Sequence, residues 1–207
     1  MSNRTDGGFD PETILVALQG AGVASVLIGG LARVARGADE VTRGVDICPS
    51  EQPANLERLA IALDSLGAAR ADGRELELDA AHLVSEPVLE LSTGSGELKV
   101  IFAPTGVPRG YEALRAGATP EHLGAGLRPE IASTADLIAM SAALRREADL
   151  DRLPALRRIL ELEADPAGIV TPQPLVRLKP GAALRGERSF ADRSRPSGPR
   201  PDIGPAR

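Results

Sequence analysis

A chain of 207 residues with 43% apolar side chains has the material for one ordinary core, and its formal charge of −5 is unevenly spread. Residues 166–207 hold eight Arg or Lys against three Asp or Glu, which leaves −10 on residues 1–165 and argues against a general binder of phosphate backbones. Aromatics at 2%, with no Trp, argue against a stacking reader of single-stranded nucleic acid, and Cys48, the only cysteine, excludes an internal disulfide and a Cys-rich zinc site.

In chain order, Asp10-Pro11-Glu12 reads as a helix opening, and the spacing predicts a helix over 11–20. Gly20 and Gly22 follow that helix rather than a strand, so they read as helix termination and not as a dinucleotide fingerprint. Ser25 to Ile28 reads as a buried strand ending at Gly29-Gly30, with a brief helix over 31–36 closed by Gly37. A second strand, Val45 to Cys48, stops at Pro49. A helix then runs over 53–66, with Leu56, Leu59, Ile61, Leu63 and Leu66 as its apolar positions.

Residues 68–86 fit neither period. Val88 to Thr93 and Glu97 to Phe102, joined by Gly94-Ser95-Gly96, read as a hairpin whose glycines supply positive φ. A turn at Pro108-Arg109-Gly110 precedes a short helix over 111–116, and a further strand is expected within 127–132. Ser133-Thr134-Ala135-Asp136 has the spacing of a capping box ahead of a helix over 137–145, and a last helix is expected over 151–162. From Pro166 onward eight of the 17 prolines and scattered Gly, Ser and Arg predict a disordered tail.

Two segments carry the chemistry: Val26-Leu27-Ile28-Gly29-Gly30-Leu31-Ala32, and Val41-Thr42-Arg43-Gly44-Val45-Asp46-Ile47 after a short connection. Together with Gly96-Glu97-Leu98-Lys99-Val100-Ile101-Phe102 and the segment Asp136 to Met140, they resemble the nucleotidyltransferase fold. The likeness is to the small bacterial group related to abortive-infection-type toxins of toxin–antitoxin systems. The resemblance implies an α/β fold with a mixed sheet flanked by helices. It divides the chain into a core over 1–132, a helical extension over 133–165 packed on that core, and the tail over 166–207.

The family's chemistry gives the pattern its physical sense. A glycine turn at a helix start lets a phosphate approach the backbone, and Asp residues at i and i+2 share one strand face. With a third from a neighbouring strand they hold two magnesium ions. Here the resemblance puts Gly29, Gly30, Thr42 and Arg43 at the nucleotide and Asp46 at the metal, while Gly44 and Lys99 replace the other two carboxylates. An ammonium at Lys99 repels magnesium, and Asp39, Glu40 and Glu97 are poorly placed substitutes. Relatives' later lysines correspond to Ser141 and Glu147, and Arg145 and Arg146 read as a solvated basic helix end.

Two functions follow from this set. One is a nucleotidyltransferase-like protein that is inactive or weak, needs no cofactor, and retains binding of a nucleoside triphosphate or of a protein partner encoded nearby. The other is an active magnesium-dependent enzyme that transfers a nucleoside monophosphate to RNA, protein or a small acceptor, as a toxin–antitoxin component could. Nucleic acid as an acceptor stays open. No run of about 18 to 20 apolar residues and no signal-peptide pattern occurs, which predicts a cytoplasmic protein away from membranes. His82 and His122 lack Cys or His partners at metal spacing and read as surface residues, and Ser92, Thr93 and Ser95 as turn residues without a catalytic partner. Lys99 is expected to pair with Asp46 at about 4 Å or less.

Overall fold

Period-two alternation gives the central strands two unlike faces, and the strand register shows how those faces line up. The computed structural model describes residues 8–165, so the tail expected over 166–207 lies outside the described residues. Its strands are β1 (Ser25–Ile28), β2 (Gly44–Pro49), β3 (Ala69–Arg70), β4 (Val88–Thr93), β5 (Gly96–Ile101), β6 (Thr119–Pro120) and β7 (Glu130–Ile131). They form one mixed sheet in the order β3-β4-β5-β2-β1-β7-β6, with β2–β5 and β1–β7 parallel and the other pairs antiparallel.

Cross-strand partners lie on the same face. Leu27, Ile47, Val100 and Leu89 make one row across β1, β2, β5 and β4, with Val45, Leu98 and Leu91 in the row beside it. All of these are fully buried. The residues between them make a second row on the opposite face: Ile28, Asp46, Lys99 and Glu90, with Gly44 and Glu97 next to it. One side of the sheet is thus hydrophobic core, at about 2 kcal/mol per fully buried aliphatic side chain, and the other carries the polar Asp46, Lys99 and Glu90 beside the buried Val26, Ile28 and Cys48.

Helices α1 (Pro11–Gly20) and α3 (Pro53–Ser65) bury Ile14, Leu15, Leu18, Leu56, Leu59 and Leu63 in the same cluster as the apolar rows. Asp10 caps α1 by accepting from the Thr13 N–H at 3.3 Å, and Gly22 follows the helix at φ +70 as a terminating glycine. Ile61, expected on the apolar stripe of α3, is 64% exposed. Helix α2 (Gly29–Ala35) begins two residues earlier than expected, so both glycines belong to its first turn. It packs against α6 (Thr134–Leu144), which α7 (Glu147–Leu150) and α8 (Leu153–Ala164) follow. α6 puts Leu137 and Met140 into the main core cluster. The Ser133 hydroxyl accepts from the Asp136 N–H at 3.1 Å as expected, while the Asp136 carboxylate accepts from that same hydroxyl at 2.5 Å.

Three expectations change. The strand foreseen within 127–132 shrinks to Glu130–Ile131, because Gly124, Ala125 and Gly126 all take positive φ and turn the chain back so that the Leu127 N–H donates to the Gly124 carbonyl. In the β4–β5 hairpin only Gly96 has positive φ (+126), and Gly94 does not. The helix expected over 151–162 is α8, which starts two residues later with a proline in its first turn, and the short α7 before it was not foreseen. The unreadable stretch 68–86 holds the edge strand β3 and a single turn, α4 (Ala80–Leu83), braced by Arg70 and Arg74 on Asp72 and Glu86.

A buried amide joins the turns at one end of the central strands. Asn55, 1% exposed, accepts from the Ala24 N–H at 2.7 Å and donates to the carbonyls of Ala24 at 3.0 Å and Ser50 at 2.8 Å. Asn55→Ala strands the Ala24 N–H and weakens two buried carbonyls, so chemical denaturation should show a loss of about 3 kcal/mol. A loss under about 1 kcal/mol would show that water replaces the amide.

Candidate functional site

The polar row is the foundation of the site. Gly29 takes φ +66, and an added Cβ there would lie 1.9 Å from the Asp46 Oδ2, so the carboxylate rests on the bare glycine backbone. Asp46 also accepts a hydrogen bond from the Gly30 N–H. Burial raises its pKa above the ordinary 3.8, opposed by the charge of Lys99, by the Gly30 donor and by Arg33. A Cβ on Gly30 would meet the Thr42 Oγ1 at 2.7 Å, and the Thr42 hydroxyl donates to the Gly44 carbonyl at 3.1 Å. The sequence-predicted glycines, Thr42 and Asp46 therefore come together at the β1–α2 turn. Arg43 is exposed and does not line the cleft.

Lys99 stands in register with Asp46, but its ion pair is with Glu90, at 2.8 Å from Nζ. The expected Lys99–Asp46 pair is corrected here. The short Asp46 side chain is held back by the Gly30 donor, whereas Glu90 is the antiparallel cross-strand neighbour and has the length to reach the ammonium. That bond raises the Lys99 pKa and lowers that of Glu90. Gly44 faces Glu97, whose Cβ would lie 3.2 Å from a Cβ on Gly44.

Together with the far wall from α6 and α7, the row encloses a cleft of about 360 Å³. Arg33, Met140, Ser141, Leu144, Arg146 and Asp149 are among its other lining residues. Arg146 is exposed, as read from the sequence, and it also borders this cleft, where its charge helps to lower the Glu90 pKa, while Arg145 is the exposed left-handed cap of α6 at φ +53. Glu147, which the resemblance matches to a lysine position, is outside the lining.

Sequence reasoning missed a chain of charges behind the cleft. Arg33 meets Glu40 at 2.9 Å, Arg152 meets the same carboxylate at 3.1 Å, and Arg152 also meets Asp149 at 3.2 Å. Glu40 is thereby held between two guanidiniums and is no substitute metal ligand, while Asp39 is exposed and outside the cleft. No local spacing announces this network, since its members come from α2, the following loop, α7 and the start of α8.

Elsewhere, His82 is exposed as expected, and its neighbours are carboxylates rather than Cys or His. Glu77, Asp79 and His82 bring ligand atoms within 4.8 Å of one another. The two ring nitrogens face different carboxylates, Nδ1 toward Asp79 and Nε2 toward Glu77 at 3.1 Å. That arrangement suits an imidazolium, and Asp79 first, then Glu77, raises the His82 pKa above its ordinary 6.5. His122 is exposed. The Thr93 hydroxyl donates to the Gly96 carbonyl at 2.8 Å and that of Ser92 to Ala69 at 3.4 Å, so both serve the hairpin and its edge. Cys48 is fully buried, and burial pushes its thiol up to about 12, far from a reactive thiolate. No helix among the described residues is long and apolar enough to cross a membrane.

No protein-family profile matches this chain, and no curated protein matches it. Among solved structures, it is similar to the solution structure of the antibiotic-resistance factor ANT(2'')-Ia, with a TM-score of 0.41 and 18% identity, over 74% of this chain and 93% of that one.

Proposed function

We propose that this chain is a nucleotidyltransferase-like protein that no longer assembles a magnesium site and acts by binding rather than by transferring nucleotides. The observation that carries this reading is the row Asp46–Lys99–Glu90. The donor set does not fit a pair of magnesium ions: among the described residues one carboxylate, Asp46, faces the cleft without an ion-pair partner, Gly44 offers no ligand, and the Lys99 ammonium stands beside Asp46 on β5. A nearby cation raises the cost of bringing a divalent ion to that carboxylate.

In this reading the β1–α2 glycine turn and the cleft retain a nucleoside triphosphate or a segment of a protein encoded nearby, as in a toxin–antitoxin locus. Calorimetry with nucleoside triphosphates, with and without magnesium, tests it. The expected result is binding that magnesium does not tighten, and no pyrophosphate release. Tight magnesium-dependent binding, with labelled nucleotide transferred to an acceptor and Asp46→Ala abolishing the transfer, would establish an active enzyme instead.

A further inference from the structure

We propose that a second pocket, on the sheet face opposite Asp46, binds a small organic carboxylate with an apolar body. Its floor is formed by Leu27 and Ile47, neighbours in one row of the apolar face, together with Leu15 and Leu18 of α1 and the buried Leu127. Strand alternation separates it from the cleft, because Ile28 and Asp46 point to the other side. The cavity measures about 200 Å³. A void of roughly 150 Å³ lined by aliphatic side chains takes a benzene ring, so this one suits a ring or short chain with one substituent.

The mouth supplies the charge preference. Helix α5 (Gly110–Gly117) carries Tyr111 and Arg115 one turn apart, which places the phenol and the guanidinium on the same side. Arg128 enters from the turn opposite and Glu130 also lines the opening, giving two guanidiniums against one carboxylate. Among the described residues neither Arg115 nor Arg128 has an ion-pair partner, although residues 1–165 are acidic overall. Tyr111 is half-buried, and it is the only tyrosine in the chain.

Arg128 is held in place by Gln19 of α1, whose Oε1 accepts from the Arg128 N–H at 3.0 Å and whose Nε2 donates to the Gly126 carbonyl at 3.4 Å. A planar carboxylate matches the guanidinium fork, and its apolar remainder would exclude water from the floor. A strongly hydrated inorganic anion could use the mouth but not the floor.

Benzoate is the probe, titrated into the full chain by calorimetry beside benzamide and inorganic phosphate. Benzoate should bind at least tenfold more tightly than either. Arg115→Gln should weaken it about tenfold with the melting temperature unchanged, since that side chain is exposed, and Lys99→Gln in the cleft should leave it unaltered. Equal binding of benzoate and benzamide, or benzoate binding indifferent to both Arg115→Gln and Arg128→Gln, overturns the proposal. So does phosphate binding as tightly as benzoate, loss of binding in Lys99→Gln, or no benzoate binding at all.

Discussion

Gly29→Ala is expected to cost about 3 kcal/mol and to lower the thermal midpoint by roughly 10 °C. Two causes act together. The backbone sits at φ +66, where a side chain costs about 1 to 2 kcal/mol, and the new methyl would fall 1.9 Å from Oδ2, 2.7 Å from Cγ and 2.9 Å from Cβ of Asp46. The carboxylate cannot simply swing away, because the Gly30 N–H holds it and Ile28 and Lys99 flank it in the row. Gly67→Ala separates the causes, since Gly67 has a similar φ of +57 with nothing within 4 Å, and should lose only the backbone share of about 1 kcal/mol. In an Asp46→Gly background the Gly29→Ala penalty should fall to that same level, a coupling of about 2 kcal/mol. If thermal denaturation gives Gly29→Ala the same cost with and without Asp46, the carboxylate does not rest on the glycine.

That contact bears on how much of the site could be read from the sequence. Strands β1, β2, β4 and β5 and helices α1, α3 and α6 were legible because their signals are local: period-two runs, prolines at first turns, Asp10 and Ser133 as caps. The glycine pair and Asp46 could be placed side by side because β1 and β2 are consecutive strands that pair directly. The partner of Lys99 was not legible. Register sets it between two carboxylates, Asp46 and Glu90, and the choice depends on side-chain reach and on a backbone donor at Gly30, neither of which leaves a periodic trace.

The place of Arg146 at the cleft and the Arg33–Glu40–Arg152–Asp149 chain escaped for a related reason, since segments distant in sequence meet only when α7 and α8 dock beside α2. The stretch 68–86 lacks a pattern because its regular elements are only a two-residue strand and a single helical turn, although Leu76, Leu78, Ala80 and Leu83 pack on the core and charged pairs brace it. Arg70 meets both Asp72 and Glu86 at 3.0 Å, and Arg74 meets the same two carboxylates. Partly exposed pairs of this kind contribute little each, and they constrain spacing too weakly to be recognised in a sequence.

The second large effect concerns magnesium. The unmodified protein should bind it only weakly, and Lys99→Asp should raise the affinity about tenfold or more, because it replaces a cation beside Asp46 with a carboxylate and releases Glu90 from its ion pair. Gly44→Asp alone should gain little. Lys99 still repels the ion, and the new side chain must be accommodated against the Glu97 Cβ at 3.2 Å and the Glu97 carbonyl at 3.3 Å. The double variant restores three carboxylates across β2 and β5 and should bind magnesium most tightly, while its apo form should melt lowest, with Glu90 and Glu97 added to the uncompensated negative charge. Calorimetry reads the affinities, and the rise in melting temperature on adding magnesium gives an independent measure. Tight magnesium binding by the unmodified chain would sink the account of Lys99 as the excluding charge. An affinity for Gly44→Asp equal to that of the double variant would do the same, because the missing ligand would then be the whole defect.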